Sequence, residues 1–205
     1  DRIGLLDGGL GDDTIRAQRA FEIVGGRGND AISVGQAIDD GLTPKFPSIS
    51  GNAGDDSVTL GADPFPNPSV VDGGLGNDFL NFAQRSAPVS VTIDGEGNDG
   101  QDRERMNVIG FDRFRLGSGD DFYFSFIDAA GDQVDGGPGA DRILPGGGPD
   151  LLIGGTGRDT LNGGAGDDVI QAQDGEQDAI TCASGSDNVT ADLVDAPNGT
   201  IRGCE

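Results

Sequence analysis

Apolar residues in this chain recur at a fixed interval of nine, rather than in helical or continuously alternating runs. Four nine-residue blocks follow one another without a gap from residue 136: GGPGADRIL, PGGGPDLLI, GGTGRDTLN and GGAGDDVIQ. After one inserted residue, Ala172, come two degenerate blocks, QDGEQDAIT (173–181) and CASGSDNVT (182–190). Each block has one aliphatic residue at its eighth position, and the residues around it read as a very short strand. The repeat therefore predicts a stack of short strands separated by glycine-rich turns.

The same unit recurs upstream with wider spacing. The upstream blocks are GGLGDDTIR at 8, GGRGNDAIS at 25, GNAGDDSVT at 51, GGLGNDFLN at 73 and LGSGDDFYF at 116. Across the eleven blocks the fourth position is Gly in ten, with Glu176 as the exception, and the sixth is Asp in all. The eighth position is aliphatic or Tyr throughout: Ile15, Ile32, Val58, Leu80, Tyr123, Ile143, Leu152, Leu161, Ile170, Ile180 and Val189.

Glycine and strand geometry predict how two blocks close into one coil. Glycine tolerates positive φ and has no side chain, so a GGxG run turns sharply and bares its carbonyl groups. Strand side chains alternate, so one apolar residue per block faces inward. Two blocks then form a coil of 18 residues with two turns and two strands. Stacked coils pair their strands at roughly 4.8 Å and bury a thin aliphatic column.

These features predict an all-β chain with a single solenoid domain over residues 1–205. Irregular inserts are expected at about 34–50, 60–72 and 94–115. We expect widely spaced repeats with loops over 1–93, regular repeats over 116–190 and a C-terminal cap over 191–205.

The blocks resemble the RTX, or haemolysin-type, calcium-binding repeat family, whose pattern is GGxGxDxUx. The resemblance is tight from 136 to 190 and interrupted from 34 to 115. It implies a right-handed parallel β-roll in which Ca²⁺ ions lie between the glycine-rich turns of neighbouring coils. Each ion would take the position-six carboxylates and carbonyl groups of the turn.

The predicted metal ligands are therefore of two kinds. The carboxylates are Asp13, Asp30, Asp56, Asp78, Asp121, Asp141, Asp150, Asp159, Asp168, Asp178 and Asp187. The turn glycines are Gly8, Gly9, Gly11, Gly25, Gly26, Gly28, Gly73, Gly74, Gly76, Gly136, Gly137, Gly139, Gly146, Gly148, Gly154, Gly155, Gly157, Gly163, Gly164 and Gly166.

Stacking predicts why these carboxylates need a cation. Asp159 should lie directly over Asp141, and a column of like charges would repel. Ca²⁺ takes six to eight oxygen ligands, whereas Mg²⁺ demands tight octahedral geometry and fits such a site poorly. Spacing predicts one continuous edge of carboxylates, which runs from Asp13 through Asp78 and on through Asp121, Asp141, Asp159 and Asp178. A second edge is predicted only for Asp150, Asp168 and Asp187, and about eight ions in total.

Composition narrows the function. The chain has 36 acidic and 13 basic residues, a net charge of −23 and only 34% hydrophobic residues. Such a chain is either disordered or neutralised by bound cations. The charge argues against nucleic acid and anionic membrane surfaces as partners, and no apolar run is long enough for a membrane span. Histidine is absent, which excludes Ser–His–Asp, Cys–His and histidine–zinc chemistry, and we expect no enzyme activity.

Two cysteines lie near the C-terminus. Cys182 opens the final block and Cys204 is the penultimate residue. A solenoid exposes its last coil, so a Cys182–Cys204 disulfide would tie the tail over that end. Two free buried cysteines are the alternative. An even count in an acidic repeat protein favours a secreted, extracellular or cell-surface location.

Two irregular features leave alternatives open. Asp94, Asn98, Asp99 and Asp102 could hold an extra ion, but a solvated surface loop is the favoured interpretation. Phe122, Phe124 and Phe126 should point outward if Tyr123 points inward, where they would form a partner site or, as we favour, be covered by the 95–107 loop.

Three hypotheses for function follow. The leading one is an extracellular module that folds on binding Ca²⁺ and serves a structural or secretion-related role. The second is an adhesin or cell-surface segment that recognises a glycan or another cell through its loops. The third is the calcium-binding tail of a secreted enzyme whose catalytic domain lies outside this chain.

Overall fold

The computed structural model describes residues 4–17, 22–35, 48–62, 69–102, 104–126, 130–195 and 201–204. Every regular element in these ranges is a β-strand. The described residues contain no helix that is long and apolar enough to cross a membrane. The strands of the first half are β1 (Leu5–Leu10), β2 (Thr14–Ala17), β3 (Glu22–Arg27), β4 (Ala31–Val34), β5 (Ser48–Ala53), β6 (Ser57–Leu60), β7 (Ser69–Leu75), β8 (Phe79–Asn81), β9 (Val89–Ile93) and β10 (Gly100–Gln101). Those of the second half are β11 (Met106–Ile109), β12 (Arg113–Arg115), β13 (Phe122–Ser125), β14 (Gln133–Pro138), β15 (Arg142–Leu144), β16 (Leu151–Thr156), β17 (Thr160–Asn162), β18 (Val169–Ala172), β19 (Ala179–Thr181), β20 (Asn188–Ala191) and β21 (Ile201–Arg202).

The strands form three sheets that run along the coil axis. Sheet A has the order β1-β3-β5-β7-β11, sheet B β2-β4-β6-β8-β12-β14-β16-β18-β20, and sheet C β10-β9-β13-β15-β17-β19-β21. Every strand pair is parallel except β9–β10. The chain alternates between A and B before residue 78 and between C and B after residue 133. The predicted parallel β-roll is confirmed.

The two central coils differ from the rest because each contributes a strand to all three sheets. The chain passes from β7 through β8 to β9, and then from β11 through β12 to β13. We call residues 4–78 the N-terminal wing, 79–132 the central segment and 133–195 the C-terminal wing.

The inward residue of each block is the eighth, as predicted. Nine of the eleven position-eight side chains are fully buried, whereas Ile15 and Val189, near the two ends, are only partly covered. An end coil has a neighbour on one side only, which explains the difference. The core is thus a column of one apolar residue per strand, as the period-two alternation of strands requires.

Larger side chains fill the core of the central segment. Phe82, Phe114 and Tyr123 are fully or almost fully buried there, together with Met106 and Leu116. The rings of Phe114 and Tyr123 lie 4.8 Å apart between their centroids. Three sheets around the core enclose a wider interior than two sheets do, so bulkier side chains are needed there to reach the ordinary packing density of a protein interior.

The structure shortens all three predicted inserts, since β5 already begins at Ser48 and β7 at Ser69, and parts of the first two lie outside the described residues. Residues 36–47 and 63–68, within the inserts at 34–50 and 60–72, are not among those described. In the insert at 94–115, β11 pairs with β7 and β12 pairs with both β8 and β14. The regular roll therefore resumes at Met106, and the prediction that 106–115 is irregular was wrong.

The C-terminal cap contains the predicted disulfide. Cys182 and Cys204 are bonded, with their Cα atoms 5.0 Å apart. The strand β21 adds to the last strand of sheet C, pairing Ile201 with Ile180. The tail thereby extends the buried column and covers its end.

Candidate metal centre

The position-six carboxylates form two columns, each linked from coil to coil by hydrogen bonds. In both, the backbone N–H of one aspartate donates to a carboxylate oxygen of the aspartate in the next coil, at 2.6–3.0 Å. The exception is the step from Asp112 to Asp132, where Gln133 N–H donates to the carbonyl oxygen of Asp112 instead. Column I lies along one edge of sheet B and contains Asp13, Asp30, Asp56, Asp78, Asp112, Asp132, Asp150, Asp168 and Asp187. Column II lies along the opposite edge and contains Asp121, Asp141, Asp159, Asp178 and Asp195.

The path of the columns differs from the predicted one. Spacing predicted that Asp78 is followed by Asp121 on a single continuous edge, but Asp78 N–H donates to Asp112 instead. The cause is that β12, rather than β13, pairs with β8. Asp13 through Asp78 therefore share an edge with Asp150, Asp168 and Asp187, whereas Asp121 begins the other column.

Three column members were missed from the sequence. Asp112 belongs to an unrecognised block, NVIGFDRFR, which keeps Gly110 at position four and the buried Phe114 at position eight. That three-position signal could have identified it. Asp132 is followed by the buried Val134 but has Ala130 at position four, and Asp195 lies in the C-terminal cap, so both carry weaker signals.

One oxygen of most column carboxylates is buried without a hydrogen-bond partner. The Oδ2 atom has no partner in Asp13, Asp30, Asp56, Asp78, Asp141, Asp159, Asp168, Asp178 and Asp187. In all of these except Asp13, which is the first of its column, Oδ1 accepts the N–H of the aspartate in the preceding coil. Most of these side chains are almost fully buried; Asp56, for example, is 0% exposed and Asp159 is 2% exposed. Buried polar atoms are nearly always hydrogen-bonded, so a recurring exception indicates a missing ligand.

Glycine carbonyl groups lie beside these unpartnered oxygens. A Cβ atom placed on Gly136 would lie 2.5 Å from both Asp141 Oδ2 and the carbonyl oxygen of Gly154 in the next coil. Gly25, Asp30 and Gly51 repeat the arrangement at 2.5 and 2.8 Å. At Gly25 and Gly136 the first glycine of the block is therefore required by space, because any side chain would fill an oxygen-lined cradle.

The second and fourth glycines bring the carbonyl groups into line. Gly155 and Gly157 have φ of 106° and 130°, which residues with side chains rarely adopt. A Cβ atom at either position would contact the carbonyl group of the equivalent glycine one coil earlier, Gly137 or Gly139. The predicted glycines thus lie in turns where bare carbonyls stack along the same edges as the carboxylates.

Carboxylates alone do not make a complete site. Among the described residues, no three Asp, Glu, Cys or His side chains converge as a group that could hold a metal ion. A cation between two coils would have to take its remaining ligands from backbone carbonyls, which suits a hard cation with flexible coordination such as Ca²⁺.

Burial makes the charged column costly. Burial is the main cause that raises the pKa of Asp141 and Asp178 to about 7, and like charges from neighbouring aspartates add to it. Burial also raises the pKa of Asp56 and Asp159 to about 6, and that of Asp78 and Asp168 above the usual value. A divalent cation between the coils would offset both effects.

The acidic loop at 94–102 uses its oxygens internally. Asp94 accepts hydrogen bonds from Glu96 N–H and Asn98 Nδ2, at 2.8 and 3.1 Å. Asp99 is fully buried and accepts from Thr92 N–H and Val108 N–H. These bonds support the surface-loop interpretation over an additional ion.

The predicted covering of the three phenylalanines is wrong for Phe126. Tyr123 is fully buried and Phe122 and Phe124 are partly exposed, as the alternation predicted. Phe126 remains 66% exposed.

Comparison with known families agrees with the geometry of the turns. A sequence model of the RTX calcium-binding nonapeptide repeat matches four segments, at 5–19, 48–63, 128–152 and 144–176. It describes a calcium-binding repeat module, not a catalytic domain. Comparison with curated protein sequences finds no significant match. The chain therefore carries four copies of the RTX calcium-binding nonapeptide repeat.

Proposed function

We propose that this chain is an extracellular module that folds on binding Ca²⁺ and serves a structural, secretion-related role. The observation that carries the proposal is the recurrence of a buried, unpartnered Oδ2 atom beside bare glycine carbonyls in successive coils. Ca²⁺ binding would supply the missing interactions and neutralise the columns, so that binding free energy becomes folding free energy.

The proposed ligands follow from the two columns. The Oδ2 atoms of position-six aspartates such as Asp141 and Asp159 would bind the ions together with carbonyls of the turns, for example those of Gly136 and Gly154. The nine carboxylates with an unpartnered Oδ2 atom support a number of ions near the predicted eight.

Charge and the disulfide support an extracellular location. A net charge of −23 would oppose compaction in a cytosol poor in calcium, and millimolar external calcium would remove this obstacle after export. The Cys182–Cys204 disulfide fits an oxidising compartment, because such bonds rarely persist in the cytosol.

Circular dichroism during a calcium titration tests the proposal. We expect the β signal of the metal-free protein to rise strongly with Ca²⁺ and far less with equal Mg²⁺. A full β signal in excess chelator would contradict coupled folding, and equal action of Mg²⁺ would contradict selectivity.

The exposed phenylalanines support a second candidate, recognition of a glycan or cell surface. Phe124 and Phe126 lie 4.3 Å apart between ring centroids, and the guanidinium carbon of Arg142 lies 5.9 Å from the ring centroid of Phe122. Binding to a glycan array that is lost on calcium removal and on Phe126→Ser substitution would support this role. Binding to no glycan with calcium present would contradict it.

A further inference from the structure

Among the described residues of the central segment, no carboxylate has a buried oxygen without a hydrogen-bond partner, unlike in either wing. We propose, on the basis of the calcium-dependent folding proposed above, that residues 79–132 form a metal-independent core on which the two wings fold when Ca²⁺ binds. Four features of the central segment carry this inference: its carboxylates, one tyrosine, one buried ion pair and its aromatic packing.

Buried carboxylate oxygens without a partner occur in both wings but not in the centre. They begin with Asp13 to Asp78, resume at Asp141, and are absent from the described residues between 79 and 140. Both oxygens of Asp121 accept N–H groups, from Val89 at 2.7 Å and Gly117 at 2.6 Å. Both oxygens of Asp99 likewise accept N–H groups, from Thr92 and Val108. The centre therefore lacks the oxygens that make the wings depend on a cation.

Tyr123 occupies the place that a cation would have in column I. Its hydroxyl donates to Asp132 Oδ2 at 2.7 Å, and both side chains are buried. Elsewhere in column I, as at Asp78 and Asp168 in the two wings, the equivalent Oδ2 atom has no hydrogen-bond partner. A protein donor thus supplies the partner of this oxygen at the boundary between the central segment and the C-terminal wing.

An arginine provides the only fully buried cationic side chain among the described residues. Arg85 is 0% exposed and forms an ion pair with Glu104, which is 6% exposed. The Nε atom of Arg85 also donates to the carbonyl of Gly61, and Glu104 accepts the N–H of Gln101. Such a pair adds little net stability by itself, but it neutralises the buried Glu104 carboxylate without a metal ion.

The largest buried hydrophobic side chains of the described residues also lie in the central segment. Phe82, Phe114 and Tyr123 bury aromatic rings in the coils where three sheets enclose the interior. In the described parts of the wings no buried hydrophobic side chain carries an aromatic ring, as Ile32 and Leu161 illustrate. Aromatic rings bury more apolar area than aliphatic side chains, so the centre retains more of its driving force when calcium is removed.

Hydrogen exchange measured by mass spectrometry on the full chain tests the inference. In calcium-free buffer, we expect peptides from 82–93 and 104–125 to exchange at least about tenfold more slowly than peptides from 22–35 and 141–172. Added CaCl₂ should then protect the wing peptides to a similar degree.

Two variants sharpen the test. Tyr123→Phe removes only the hydroxyl, and it should lower calcium-free protection of the centre while the calcium-bound wings stay protected. Asp159→Asn should lower calcium-dependent protection of the C-terminal wing and leave calcium-free protection of the centre as in the wild type.

The outcomes separate this inference from the proposed function. If all peptides gain protection together and only with calcium, the metal-independent core is wrong while calcium-dependent folding stands. If all peptides are protected equally without calcium, both are wrong. If peptides of the central segment exchange as fast as those of the wings in calcium-free buffer, the proposal of a metal-independent core is also contradicted.

Discussion

At the residue scale, the two carboxylate oxygens of the position-six aspartate have different roles. The Oδ1 atom of Asp159 accepts the N–H of Asp141 at 2.8 Å and so fixes the register between coils. Its Oδ2 atom is left without a protein partner. The side chain would thus connect coils directly through a hydrogen bond and indirectly through a shared ion.

Asp159 and Asp187 should respond differently to the same substitution. Asn keeps an oxygen that can accept the N–H but removes the charge. Asp159 has column neighbours on both sides and would serve two ions, whereas Asp187 ends column I. We expect Asp159→Asn to lower calcium stoichiometry more and to weaken affinity by about tenfold, since ligand charge sets calcium affinity. Isothermal titration calorimetry measures both, and an equal effect of Asp187→Asn would contradict the proposed ligand sharing.

Gly154 should not tolerate even a methyl group. A Cβ atom there would collide with Asp159 Oδ2, so Gly154→Ala should destabilise the calcium-bound roll by about 1–3 kcal/mol. The matched control is Gly4→Ala, where the added atom would meet nothing within 4 Å and the change should stay within about 0.5 kcal/mol. Thermal melts in excess calcium compare the two, and equal melting temperatures would argue against a cradle that excludes side chains.

At the element scale, the carboxylate columns link stability to pH. Burial raises the pKa of Asp141 and Asp178 from 3.8 to about 7 in the folded roll. The metal-free fold therefore binds protons more tightly than the unfolded chain. This stabilisation is complete below about pH 4 and is lost as the pH rises through 7.

Metal-free protein should accordingly be more folded at pH 5 than at pH 8. Calcium affinity should change in the opposite direction, because protons compete for the same carboxylates. Circular dichroism in calcium-free buffer across this range provides the measurement. The double variant Asp141→Asn/Asp178→Asn should flatten the profile, and an unchanged profile would show that other groups control it.

The last element of the roll depends on the disulfide. Cys182 and Cys204 are 22 residues apart, and closing a loop of this size stabilises a fold by about 3 kcal/mol in the chain-entropy model. Reduction should lower the melting temperature of the calcium-bound protein and release β21 from β19. The double variant Cys182→Ser/Cys204→Ser should have the melting temperature of the reduced protein, and added reductant should not change it. A wild-type melting temperature unaffected by reduction would contradict this role.

At the scale of the whole molecule, net charge and shape are coupled through the ions. An unfolded chain of 205 residues has a radius of gyration of about 49 Å, and saturating Ca²⁺ should reduce the calcium-free value toward the roughly 17 Å of a compact domain of this length. Small-angle X-ray scattering follows the contraction. Mg²⁺ at equal concentration serves as the control for screening, and an equal contraction with Mg²⁺ would show that ionic strength alone compacts the chain.

The sequence by itself determined the coil. The nine-residue phase of Gly, Asp and an aliphatic residue is a local property, since it sets turn, strand and inward side chain within one block. The inward column at position eight and the stacking of Asp159 over Asp141 were predicted from it. The residue types that point to calcium were evident for the same reason. The Cys182–Cys204 bond was predicted separately, from the exposed last coil and the position of the two cysteines.

Only the tertiary structure decided which coil stacks on which. Where connections vary in length, strand pairing depends on contacts between residues far apart in sequence. Spacing alone therefore predicted that Asp121 follows Asp78 in its column, whereas the structure has Asp112 in that place. The third wall of the central coils, the Arg85–Glu104 pair and the bond from Tyr123 to Asp132 arise from the same long-range pairing. A periodic sequence encodes each repeat, but the joining of repeats across an interruption depends on which packing fills the interior.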